Sequence, residues 1–133
     1  MSRENVEQIR RLYDAMAEPG RAGVLELFDP DVVLTNTADS PEQAPYVGFA
    51  GLAEWVRSIE EAMGECRIEA DEIIDVDAER VIVVGRVCGT GPVSGLPVEV
   101  PSATVFTLRD GKIVSAQGHD TRTQALEAVG RAG

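Results

Sequence analysis

Lysine, histidine and cysteine are nearly missing from this chain of 133 residues: Lys112 and His119 stand alone, and Cys66 and Cys88 are the two cysteines. Basic residues of any kind are scarce. Twelve of them face twenty-three acidic ones, a formal net charge of −11. So acidic a surface repels nucleic-acid phosphates and anionic lipid headgroups, and both are excluded as expected partners. Two cysteines outside any CxxC make no disulfide framework; they read as small buried hydrophobes of a cytoplasmic protein. One histidine makes a poor metal site, and no metal is expected. The longest aliphatic run, Val81 to Val84, is far too short to cross a bilayer. No apolar stretch follows Met1-Ser2-Arg3-Glu4, so no signal peptide is expected. The basic residues other than Lys112 are all arginine, and Ala, Gly and Val abound, a usage that fits a GC-rich bacterial gene.

What is present suits one domain over 1–133. At 44% hydrophobic residues the chain has the material for a core. Val6, Ile9, Tyr13 and Met16 recur at helical spacing and predict a helix over 3–18. A short helix over 21–28 and a strand over 31–36 follow, then a loop rich in Pro and Gly over 37–48. Leu52, Trp55, Val56, Ile59 and Met63 share one face of a helix over 49–63. After that the period changes from 3.6 to 2. Strands are predicted from 66, over 80–88, 97–109 and 112–119, with a last helix over 122–129. Asp110-Gly111 is a two-residue hairpin turn. Helices first and a strand meander afterwards make an α+β order. Strand 81–88 is apolar on both faces, and Ala103 and Val105 fall on the outer side of the next strand. That apolar outer sheet face predicts a homodimer.

This order resembles the nuclear-transport-factor-2-like superfamily and, within it, the SnoaL-like polyketide-cyclase group. The carriers are the Tyr13 helix, the segment Phe28-Asp29-Pro30-Asp31-Val32-Val33, Gly48 before the long helix, and Phe106 to Val114 around the hairpin turn. The resemblance implies a cystatin-like curved antiparallel sheet wrapped around N-terminal helices. The cone so formed opens on an apolar pocket. Members include isomerases, cyclases, dehydratases, epoxide hydrolases and non-catalytic binding modules, so the fold alone leaves function open.

Strand parity then chooses the pocket residues. Leu34 and Asn36 share a face on the first strand, Thr104 and Phe106 on another, and Val114, Ala116, Gly118 and Asp120 on the last. Tyr13 and Trp55 come from helices. Such a site suits a small, largely apolar organic ligand carrying one or two oxygens. Cyclases of the resembled group use a last-strand aspartate as acid/base, a position matched by Asp120. Tyr13 matches an oxyanion-donating tyrosine of ketosteroid isomerases, and Asn36 stands where those enzymes carry their base. Thr104 stands where they carry a protonated Asp. Steroid isomerisation is disfavoured, because Asn36 cannot take up the proton. The expected chemistry is cofactor-free proton transfer next to a carbonyl, with Asp120 as acid/base and Tyr13 and Asn36 as positioners. A non-catalytic ligand-binding or dimeric interaction module is the alternative, with Asp120 a helix-start residue beside the capping box of Thr121 and Gln124. An epoxide hydrolase or dehydratase is a weaker one, since the epoxide-hydrolase pattern needs an Arg between two Asp groups. Arg86 is the basic candidate on the sheet, and no acidic partner is evident beside it. His119 is placed outward by parity, at an interface or in solvent.

Overall fold

In the computed structural model, described for residues 2–17, 23–35, 45–63, 66–90 and 95–130, the helical periodicity yields two long helices. α1 spans Ser2–Ala17 and α2 spans Gly48–Met63. Ile9 and Leu12 of α1 and Leu52 of α2 are buried, while Val6, Tyr13, Met16 and Trp55 flank them. The expected second helix contracts to a single 3-10 turn at Leu25–Leu27. The strands are β1 (Phe28–Thr35), β2 (Tyr46–Val47), β3 (Cys66–Asp75), β4 (Arg80–Thr90), β5 (Pro97–Arg109) and β6 (Lys112–His119). α3, Arg122–Ala128, closes the chain. Asn36, at the predicted end of the first strand, lies outside the described residues, as do the side chains of Ile59, Met63 and Cys66.

One six-stranded sheet runs in the order β2-β1-β6-β5-β4-β3. β1 lies parallel to β6, and the other neighbours are antiparallel. On the inner face Val32, Leu34, Val81, Val83, Phe106, Leu108, Ile113 and Ala116 pack against α1 and α2. On the outer face Ile82, Ala103 and Val105 pack under Ala125 and Leu126 of α3. The apolar outer face inferred from β4 and β5 is therefore partly covered within the chain itself.

The hairpin turn forms as predicted. Asp110 and Gly111 both take positive φ, 54° and 77°, the twist that a two-residue hairpin needs. Beyond it one expectation fails. The register steps from Thr107 opposite Ser115 to Leu108 opposite Ile113, which leaves Val114 as an extra residue. Such a bulge reverses the alternation. Ile113, fully buried, takes the core place expected for Val114.

Candidate functional site

One end of the inner core is stitched shut. Asn5 Nδ2 donates to the Ala78 carbonyl and Gln8 Nε2 to the Gly111 carbonyl, each at 2.8 Å, tying the start of α1 to two strand turns. The second half of α1 then carries Tyr13 and Met16 toward the opposite end of the sheet. There the parallel pairing of β1 with β6 sets Leu34 beside Ala116, and β5 sets Phe106 beside Ala116 from the other side. Leu34, Ala116 and Phe106 thus form one transverse row, all buried. Thr104 and Gly118 form the next row toward the strand ends. The Tyr13 ring stands edge-on to Phe106, with centroids 6.3 Å apart and planes at 84°. Trp55 packs on the same cluster from α2.

The row is a floor rather than a lining. The half-buried groups above it, Tyr13, Trp55 and Thr104, carry the polar atoms. Burial pushes the Tyr13 phenol well above its ordinary pKa, so it stays protonated and can donate. No hydrogen bond holds that hydroxyl among the described residues. A model of the SnoaL-like domain matches residues 9–116.

The chain belongs to the SnoaL-like domain family.

No curated protein matches it significantly. Solved structures do. A protein described as a SnoaL-like polyketide cyclase from Jannaschia sp. CCS1 superposes with a TM-score of 0.73 at 23% identity, over 87% of this chain and 84% of that one. TerC, co-crystallised with polyporic acid, gives 0.75 at 22%, over 95% and 98%. A Catenulispora acidiphila protein of ketosteroid isomerase-like fold, in complex with trimethylamine, gives 0.71 at 18%, over 94% and 93%. These likenesses establish the nuclear-transport-factor-2-like fold of the SnoaL-like domain.

Asp120 lies one residue past β6, half-buried at the bend into α3. It is not the cap of that helix. Thr121 is: its hydroxyl accepts from the Gln124 amide at 3.1 Å, and the Gln124 side chain answers in a complete capping box. The Asp120 carboxylate is left without a hydrogen bond among the described residues. Its main-chain amide donates to Gln124 Oε1 at 3.0 Å. Gln124 is the residue whose bearing on the site sequence reasoning missed. The spacing from Thr121 marks the box, but nothing in it marks the second bond to Asp120.

Two further expectations are corrected, those for Arg86 and Cys88, while His119 keeps its expected direction. Arg86 does have acidic partners, and three of them: Glu69, Asp71 and Glu99, each at 3.3 Å. They meet it because β3, β4 and β5 present these residues on the outer face, away from Phe106. His119 faces outward opposite Ala103, as parity predicts, and is half-buried there, its Nε2 buried without a hydrogen-bond partner among the described residues. Burial lowers the imidazole pKa, and the Asp120 charge partly offsets this. Cys88 is free and half-buried rather than a core residue, its Sγ 3.9 Å from Glu69 Oε2. Among the described residues no group of three or more His, Cys, Asp or Glu is placed to hold a metal. No described helix is long and apolar enough to cross a membrane.

Proposed function

We propose that this SnoaL-like domain binds a small, largely apolar organic molecule at the Tyr13 end of its core and moves a proton next to that molecule's carbonyl, without a cofactor. The observation that carries this is the Tyr13 phenol: protonated, half-buried against Phe106, and without a hydrogen-bond partner among the described residues. A ligand oxygen is the partner that suits this hydroxyl. Tyr13 would donate to the carbonyl oxygen as negative charge grows on it. Asp120 would take the proton from the neighbouring carbon and return it to another position of the same molecule, so that nothing is consumed. Asn36 and Thr104 would orient the ligand, and Leu34, Phe106, Ala116 and Trp55 would supply the apolar contact. We further propose that two copies pair through the part of the outer sheet face that α3 leaves open.

A ligand screen that reads melting temperature supplies candidates, since whatever binds the folded chain raises it. Tyr13→Phe should weaken the binding of carbonyl-bearing hits by about tenfold, the worth of one such hydrogen bond, and spare hits without an oxygen. Asp120→Asn should keep binding and abolish turnover. Full turnover in Asp120→Asn would refute the acid/base role and leave a binding module.

A further inference from the structure

Asp120 stands at a bend, after β6 ends at His119 and before α3 begins at Arg122. Its amide belongs to no ladder and no helix. Gln124 supplies what is missing. The single atom Oε1 accepts from Asp120 N at 3.0 Å and from Thr121 N at 3.3 Å. A capping box needs only the second of these. The first lands on the proposed acid/base. Gln124 is itself held: Ala125 and Leu126, next in the same helix, are buried in the outer cluster. Arg122 reaches Glu72 of β3 with two nitrogens, at 3.0 and 3.4 Å. The chain of contacts runs from the sheet through α3 and Gln124 to the Asp120 main chain.

We infer that Gln124 is the positioning residue of Asp120, a role that rests on reading Asp120 as the acid/base. Chemistry sensitive to displacements of about 1 Å needs such a support. The residue type matters as well as the place. Capping boxes take Glu as readily as Gln. Glutamate would set a second negative charge beside the Asp120 carboxylate. The neutral amide holds the Asp120 main chain without adding that charge.

The test needs no substrate, because His119 senses the Asp120 charge. In the NMR titration of the His119 ring, Asp120→Asn should lower the midpoint by a few tenths of a pH unit, since the carboxylate that favours the imidazolium is gone. Gln124→Ala should lower it part of the way and speed exchange of the Asp120 amide about tenfold, with the Ala125 and Leu126 amides still protected. Adding Asp120→Asn to Gln124→Ala should then shift the midpoint less than it does alone. Gln124→Glu, which keeps an oxygen at the same place, should restore the protection of the Asp120 amide. A His119 titration and an Asp120 amide in Gln124→Ala that match the wild type overturn the inference. Should α3 fray in that variant, an Asp120 amide that stays unprotected in Gln124→Glu overturns it instead. Neither result touches the acid/base role, which turnover in Asp120→Asn decides separately.

Discussion

A Cβ built on Gly85 would sit 1.9 Å from the Glu69 carbonyl oxygen, closer than any real contact. The crowding arises at the register shift between Ala70 and Glu72, where β3 closes over β4. Gly85→Ala must push the two strands apart, and we expect it to cost roughly 2 kcal/mol or more in urea unfolding. His119 acts by charge instead. With its folded pKa below the unfolded value of about 6.5, the unfolded chain binds more protons in the window between the two. Stability is therefore intact above that window and falls as pH drops through it. Solvent screening keeps the loss below about 1 kcal/mol. Urea unfolding at pH 7.5 and 5.5 should show the loss in the wild type and a smaller one in His119→Leu; equal losses would place the titration elsewhere. Neither effect was legible beforehand. The Gly85 contact depends on a bulge with no residue signature, and the burial of His119 Nε2 depends on packing that parity does not describe.

The hairpin between β5 and β6 is the element most plainly written in the residues. Asp110-Gly111 announces a turn of positive φ, and the structure supplies one. Gly111→Ala should cost about 1 kcal/mol, read as a lowered melting temperature. The following bulge was not legible, because the extra residue, Val114, is as apolar as Ile113 and either could have faced the core. α3 tells a similar story. Its Thr-x-x-Gln start was visible, and Thr121→Ala should remove about 1 kcal/mol of cap. A helix of seven residues is marginal by itself, so the loss should appear in hydrogen exchange of the Ala125 and Leu126 amides. A drop in protection across the whole sheet would mean instead that α3 folds as one unit with the core.

The fold of the whole molecule followed from the switch of period near residue 66 together with the hairpin, whereas the destination of its outer face did not. Parity placed Ala103 and Val105 outside and assigned that face to a second copy, with no residue signal that the chain's own last helix would cover part of it. α3 takes Ile82, Ala103 and Val105. What stays open farther along β3, β4 and β5 is charged: Arg86 with Glu69, Asp71 and Glu99, and Arg67 paired to Glu69 at 3.4 Å. Two guanidiniums against three carboxylates leave one negative charge in excess on each copy. A homodimer closing on this patch must therefore set Arg86 of one copy near a carboxylate of the other, because apposed carboxylates alone would repel. Light scattering at micromolar concentration should give twice the 14.2 kDa chain mass. Arg86→Glu, which turns the patch wholly against itself, should give the single mass while the melting temperature changes little, since these exposed ion pairs contribute little to the isolated fold. A dimer that survives Arg86→Glu would show that pairing uses another face, and a wild-type monomer would show that α3 is the only cover this sheet requires.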